Sequence, residues 1–207
     1  MLAPPAPKCS GMQAFAVLVT GTELLLLLVV FWATARRDDA FVSTEMQAAG
    51  SPLRVLLTIF VVATAAVCLA YVYVRTGRAP RFGWALLGAG TSLGGWAALA
   101  LTDMQTPGHV AGILLFALGT GAYVLVMLAV TNAPKAVYLA GYTAVAVFAV
   151  LFAALDYTQY KGAAALFEWA ALTTHAATLF MFFISHPFER GHKALVELRT
   201  LLGSLAA

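Results

Sequence analysis

Three ionisable side chains lie inside long apolar segments of this chain. Glu23 lies in the first such segment, and Glu168 and His175 lie in ALFEWAALTTHAATLFMFF, residues 165–183. A charged group at the centre of a bilayer costs about 3 kcal/mol on insertion scales, so it is retained where it has a partner, water or a function. These three residues are therefore the first candidates for chemistry.

The spacing of these residues suggests which of them meet. Glu23 and His175 each lie about ten residues into their segments, about 15 Å deep at 1.5 Å per residue. They could form an intramembrane polar pair as a structural contact, as part of a proton or cation path, or as a contact to a ligand. Glu168 and His175 are seven residues apart, which is two helical turns, so they share one helix face.

A second set of polar residues lies near the ends of the apolar segments, and we predict that it forms a polar site on the lumenal side. Its members are Asp103, His109, Asp156, Glu168 and Trp169. The ring of Trp169 suits the membrane interface, with its N–H reaching water or headgroups. The site either ties loops to helix ends or recognises a lipid headgroup.

The apolar segments carry no catalytic or metal-binding pattern in its usual structural setting. The sequence contains no HExxH spacing and no Walker loop, and its one ExxH spacing, Glu189 to His192, lies after the last apolar segment. Its one GxSxG pattern, at 90–94, lies inside an apolar run and not at a strand-to-helix elbow. Asp103, His109 and Glu168 would make a metal site only if the fold brought them together. A rhodopsin-type protein needs a seventh span with a lysine in it, and residues 163–185 contain none. We favour a protein that is not an enzyme, with no catalytic residues, no metal and no cofactor.

The elements that position these residues are predicted to be membrane-spanning helices. The chain is 62% hydrophobic and 10% charged, whereas soluble domains are about 45–50% apolar and about 25% charged. Runs long enough to cross a bilayer lie at about 13–34, 53–75, 82–102, 109–131, 135–155 and 163–185. We predict an all-α polytopic membrane protein, a six-helix domain over 13–185 with an N-terminal tail at 1–12.

The basic residues predict the orientation. One face would hold Lys8, Arg75, Arg78, Arg81, Lys135, Arg190, Lys193 and Arg199. The other would hold Arg36, Arg37, Arg54 and Lys161. Because cytoplasmic loops are enriched in Lys and Arg, this bias places both termini in the cytoplasm. The tail at 186–207 is either an amphipathic helix on the membrane surface or a short solvated helix. The small net charge of +3 does not indicate a nucleic-acid partner.

Glycines four residues apart predict close packing of helices in the middle of the chain. Gly90 and Gly94 form one such pair, and Gly108 and Gly112 form another. Small residues at this spacing let two helix backbones approach each other in a membrane. We predict packing within the chain, with contact between two copies as the alternative.

Three stretches resemble the FRAG/DRAM/SFK group of six-span membrane proteins. They are HVAGILLFALGTGAY at 109–123, FEW at 167–169 and AFVSTEMQAAGSPLR at 40–54. The chain departs from the group at Ser43-Thr44, with Glu45 next, and at Pro52-Leu53, and Glu23 has no counterpart. The resemblance implies six spans with both ends inside, and a role like that of autophagy modulators or proteins that remodel GPI anchors. It also implies that His109, Glu168 and Trp169 are polar elements of the lumenal mouth.

Together these patterns favour a non-enzymatic protein that binds or organises lipids, or regulates a lipid-handling or trafficking partner. An accessory subunit of a larger membrane complex is the alternative, and a proton or cation conductor is a further one. The expected partners are membrane lipids or such a complex, and the expected location is an endomembrane or the plasma membrane.

Overall fold

The computed structural model describes residues 11–34, 42, 51–77, 80–103, 106–131, 135–158, 160–186 and 188. Six helices account for nearly all of them: α1 Gly11–Thr34, α2 Pro52–Thr76, α3 Pro80–Leu101, α4 Pro107–Ala129, α5 Lys135–Tyr157 and α6 Lys161–Ser185. Each is long and apolar enough to cross a membrane, which confirms the predicted all-α, six-span fold. The orientation of the two termini stays a prediction. The segment with Ser43, Thr44 and Glu45 lies outside the described residues, as do most of the two tails.

Proline and glycine set several helix ends. Prolines begin α2, α3 and α4, where the missing N–H costs nothing because the first turn has no acceptor for it. The side chain of Thr106 caps α4 by accepting a hydrogen bond from the backbone N–H of His109. The last helix turn of α2 is closed by Gly77 at a φ of 61°, whose N–H donates to the carbonyl of Tyr73.

The six helices form a closed ring. Each helix contacts its neighbours in sequence, α6 returns to contact α1, and α2 also contacts α4. The buried side chains form two clusters, one towards each end of the bundle. We call one end of the bundle the Glu168 end; it is the end where the chain passes from α3 to α4 and from α5 to α6. The opposite end is called the Gln13 end.

The contact between α1 and α6 closes the ring. The side-chain amide of Gln13 donates a hydrogen bond to the carbonyl of Phe183. Its oxygen accepts one from the N–H of Phe188 at 3.2 Å. Farther along α1, Gly21 leaves room for the ring of Phe180, which a methyl group built at this glycine would approach to 2.9 Å. The beginning of the first helix is therefore bound to the end of the last.

Glycines bring α3 and α4 into backbone contact. A methyl group built at Gly95 would lie 2.2 Å from the amide nitrogen of Phe116, and one at Gly119 would lie 2.2 Å from that of Ser92. Gly88 and Gly112 are also tightly enclosed, at 2.8 Å and 3.0 Å from the nearest backbone atom of the partner helix. No side chain other than hydrogen fits at such positions without separating the helices.

The predicted packing of Gly90 and Gly94 within the chain is wrong, and contact between two copies, the alternative, stays a prediction. A methyl group built at either glycine meets nothing within 4 Å. Successive residues rotate by about 100° around a helix, so Gly90 and Gly94 point away from the face that carries Gly88 and Gly95. Of the second predicted pair, Gly112 does pack against α3, whereas Gly108 faces the side chain of Thr102.

Candidate functional site

Glu168 binds the connection between α1 and α2. Its carboxylate oxygen Oε2 accepts a hydrogen bond from the backbone N–H of Val42 at 2.6 Å, and both residues are buried. Val42 packs in the same apolar cluster as Leu57 and Trp169. A short hydrogen bond to a charged acceptor is stronger than a neutral one. The carboxylate of Glu168, one of the three ionisable groups inside apolar segments, therefore has a structural partner 126 residues away in the sequence.

Replacing Glu168 by alanine is expected to release this contact. The N–H of Val42 would lose its acceptor, and the free energy of unfolding would fall by about 1.5–3 kcal/mol, the range for hydrogen bonds to charged groups. The measurement is hydrogen–deuterium exchange at the Val42 amide in the full chain, with the Gly77 amide as internal control. Glu168→Gln, which keeps an acceptor oxygen, should exchange at an intermediate rate. Unchanged exchange in Glu168→Ala would contradict the contact.

Trp169 lies inside the bundle. It is buried, and its ring meets that of Phe31 on α1 edge-on, with the ring centroids 5.6 Å apart. The expected position, with the ring in lipid at the membrane interface, is therefore wrong. Trp169 follows Glu168 on α6 and packs in the same buried cluster as Val42.

His109 and Asp156 lie together at the Glu168 end. His109 is in the first turn of α4 and is 0% exposed, and Asp156 is in the last turn of α5 and is 1% exposed. The two side chains interact electrostatically, and the His109 ring also lies beside the Thr102 backbone and edge-on to Phe152. Neither ring nitrogen of His109 has a hydrogen-bond partner of normal geometry in the part of the chain that the structure describes.

Asp103 is set apart from this pair. It is exposed in the segment after α3, and its backbone carbonyl accepts a hydrogen bond from the hydroxyl of Thr106 at 2.6 Å. The predicted polar site thus has two levels. Asp103 lies on the surface, whereas His109, Asp156 and Glu168 are buried beneath it.

Glu23 and His175 each have their own partner. The carboxylate of Glu23 accepts a hydrogen bond from the hydroxyl of Thr64 on α2 at 2.7 Å. The ring nitrogen Nδ1 of His175 lies 3.2 Å from the hydroxyl of Tyr142 on α5. Within the described residues no hydrogen bond or ion pair joins Glu23 to His175. Although α1 and α6 are neighbours, Glu23 faces α2 and His175 faces α5.

An interior cavity connects two of the ionisable residues. It has a volume of about 40 Å³ and lies between α3, α4, α5 and α6. Glu168 and His175 both contribute to its wall, as their shared helix face predicts, and Thr120 adds a hydroxyl. The rest of the wall is apolar: Trp96, Leu99, Ile113, Phe116, Ala117, Val145, Ala149, Phe152, Ala171 and Leu172.

The hydroxyl groups that bind Glu23 and His175 were not predicted from the sequence. Thr64 and Tyr142 satisfy the two buried ionisable groups, and the hydroxyls of Ser92 and Thr120 bind each other at 2.8 Å between α3 and α4. Each lies near the middle of its apolar segment. A search of every span for hydroxyls at the depth of Glu23 and His175 would have found these residues, though not their pairing.

The described residues contain no group of three or more His, Cys, Asp or Glu side chains that could hold a metal ion. His109 and Asp156 form a pair without a third ligand. Comparison with models of protein families, with curated proteins and with solved structures finds no match to this chain. Its resemblance to the FRAG/DRAM/SFK group therefore stays a prediction from the sequence.

Proposed function

We propose that this is a non-enzymatic multi-pass membrane protein that binds an amphipathic membrane molecule through His109 and Asp156. The observation that carries the proposal is the buried imidazole of His109, whose two ring nitrogens have no hydrogen-bond partner of normal geometry among the described residues, with the Thr102 backbone and Asp156 beside the ring. Buried polar groups are nearly always paired, and an unpaired one costs about 1–3 kcal/mol. A bound polar group at this position would remove that cost.

The chemistry of the pair indicates the class of ligand. A neutral imidazole donates a hydrogen bond from one nitrogen and accepts one at the other, and the carboxylate of Asp156 accepts. A hydroxyl both donates and accepts, so it complements both side chains. An anionic phosphate would be repelled by Asp156 and by Glu168 in the same half of the bundle. The ligand that fits best is therefore a lipid with an uncharged, hydroxyl-bearing headgroup, such as a glycerol or sugar.

The size of the interior limits how such a lipid binds. The cavity in the same half of the bundle is lined by neither His109 nor Asp156, and its volume of about 40 Å³ is far below the roughly 300–1,000 Å³ of pockets that enclose whole ligands. Only a headgroup-sized part would enter the bundle, and the acyl chains would stay in the surrounding bilayer. Binding of this kind suits a protein that organises lipids in an endomembrane or the plasma membrane, the role that the family resemblance also favours.

The test compares the lipids that copurify with the full chain and with His109→Phe. Phenylalanine keeps an aromatic ring but removes both nitrogens, so the amount of one hydroxyl-bearing lipid class per protein should fall about tenfold, a loss of about 1.4 kcal/mol in binding. Mass spectrometry of extracted lipids gives this amount. His186→Phe is the matched control, because that ring lies at the Gln13 end and contacts Tyr138.

Thermal stability separates binding from structure. If His109 serves a ligand, His109→Phe should be as stable as the unaltered protein or more so, since it removes unpaired polar groups from the interior. An unchanged lipid content together with a large loss of stability would overturn the proposal and make His109 a structural residue.

A further inference from the structure

The cavity between α3, α4, α5 and α6 has a surface made almost wholly of carbon atoms. Three of its lining side chains carry polar groups, namely Thr120, Glu168 and His175. Each of these polar groups is paired with a residue that is not part of the wall: Ser92, Val42 and Tyr142, respectively. Cavities with apolar walls stay dry and bind apolar guests.

The cavity lies near the middle of the bilayer core. Its α4 wall runs from Ile113 to Thr120, and α4 begins at Pro107. At 1.5 Å per residue, these two wall residues lie about 9 Å and about 20 Å from the start of the helix. A hydrocarbon core of about 30 Å has its midplane about 15 Å from each surface. The methyl ends of the acyl chains of both leaflets meet at this depth.

Small residues line the α4 side of the contact between α4 and α5, which we call the α4–α5 seam. The two helices contact each other less extensively than α4 contacts α3 or α5 contacts α6. Ala117 is part of the cavity wall and is partly exposed. One turn later, a methyl group built at Gly121 would meet nothing within 4 Å. Space therefore remains beside α4 at the level of the cavity.

Alanines line the α5 side of the same seam. Gly141 and Phe148 are on the side of α5 that faces α6. At about 100° per residue, Ala146, Ala149 and Ala153 lie within about 60° of one another and away from that side. Ala149 and Ala153 are buried, Ala149 lines the cavity, and Ala146 is exposed. Methyl side chains thus lead from the cavity wall to the surface of the bundle.

The volume of the cavity fits a small apolar group. A cavity of about 150 Å³ binds a benzene ring of six carbon atoms, so one of about 40 Å³ holds about two carbon atoms. The lining of an empty cavity lacks van der Waals contacts, and a guest of the right size restores them. Methyl and methylene groups are the guests that the bilayer core supplies at this depth.

We propose that the methyl end of a lipid acyl chain enters this cavity from the bilayer through the α4–α5 seam. About two carbon atoms fill the space, and the rest of the chain stays in the bilayer. The end of any chain in the surrounding bilayer can enter in this way, so the proposal does not depend on a ligand at His109.

Quenching of Trp96 fluorescence tests the proposal, because Trp96 lines the cavity. Trp32→Phe, Trp84→Phe and Trp169→Phe leave it as the only tryptophan of the full chain. This protein is placed in bilayers of phosphatidylcholine with bromine at the methyl ends of the acyl chains, and in the unbrominated lipid as reference. Bromine quenches tryptophan at short range. The Trp96 emission should fall about twofold or more, although the residue is only 4% exposed, because the apolar cavity admits the chain end.

Filling the cavity should remove this quenching. Ala117→Leu adds three carbon atoms at the wall and the seam, and should abolish most of the loss of Trp96 emission. Ala111→Leu adds the same atoms at an exposed position of α4 outside the wall and should leave the quenching unchanged. A protein with Trp169 as its only tryptophan should be quenched much less, since Trp169 is equally buried but does not line the cavity. Equal quenching of Trp96 with and without Ala117→Leu would overturn the proposal.

A second variant and a second background keep the test decisive. If Ala117→Leu does not fold, Ala171→Val adds two carbon atoms at another partly exposed residue of the wall and should reduce the quenching in the same way. If Trp169→Phe does not fold, the protein with both Trp96 and Trp169 is compared with the one that keeps Trp169 alone. The additional quenching then comes from Trp96, and equal quenching in these two proteins would overturn the proposal.

Discussion

Gly95→Ala is expected to destabilise the bundle by about 3 kcal/mol, the upper part of the range for overpacked cores. The added methyl group would lie 2.2 Å from the Phe116 amide nitrogen and 2.7 Å from the Gly112 carbonyl oxygen. Both are backbone atoms of α4, which no change of side-chain rotamer can move. The two helices must separate along their whole contact, and this contact is the most extensive in the described bundle.

The same helix supplies the control. Gly90→Ala and Gly94→Ala add the identical methyl group where nothing lies within 4 Å, and alanine favours a helix over glycine by about 1 kcal/mol. These variants should be as stable as the unaltered protein or slightly more so. Reversible unfolding in mixed detergent micelles measures the difference. Equal destabilisation by Gly94→Ala and Gly95→Ala would show that the face of α3 that packs against α4 has been assigned incorrectly.

Thr64→Val is expected to cost about 1–3 kcal/mol, because it leaves the buried carboxyl group of Glu23 without its partner. Valine has nearly the same shape as threonine, so the loss comes from the missing hydroxyl and not from packing. The measurement is the free energy of unfolding in micelles. Thr143→Val is the matched control, since the hydroxyl of Thr143 is exposed and, among the described residues, binds the carbonyl of Leu139 on its own helix. This variant should change the stability little.

A double variant tests whether Glu23 is retained only for its structural pairing with Thr64 or for another purpose. Removing both partners, in Glu23→Leu with Thr64→Val, takes the polar groups out of the interior together and should restore most of the stability lost in Thr64→Val. A coupling energy near zero between the two positions would contradict the hydrogen bond. If the double variant is stable, the carboxylate of Glu23 is not needed to hold α1 against α2.

The helices could be predicted from the sequence because length and apolar character decide them. Every backbone group in hydrocarbon must be hydrogen-bonded within its own segment, so a long apolar run can only be a helix in this fold. The prolines at 52, 80 and 107 then mark three starts. The shared face of Glu168 and His175 was also predictable, since it follows from helical spacing alone, and both line the same cavity.

The rotation of each helix about its axis could not be predicted in the same way. A helix that is apolar all round gives no sequence signal for the face that turns inward. This is why the inward Gly88 and Gly95 could not be told from the outward Gly90 and Gly94, and why Trp169 was expected at the membrane interface. The pairing of Glu23 with Thr64 depends on the same rotation.

The contact of Gln13 with Phe183 and Phe188 has a consequence for synthesis at the ribosome. Gln13 is made 170 residues before Phe183, and at about 5–20 residues per second the delay is about 10–30 s. During that time the amide of Gln13 must find a temporary partner, in lipid headgroups, in water or in the insertion machinery. A nascent chain released before residue 183 would keep an unclosed seam along its first helix.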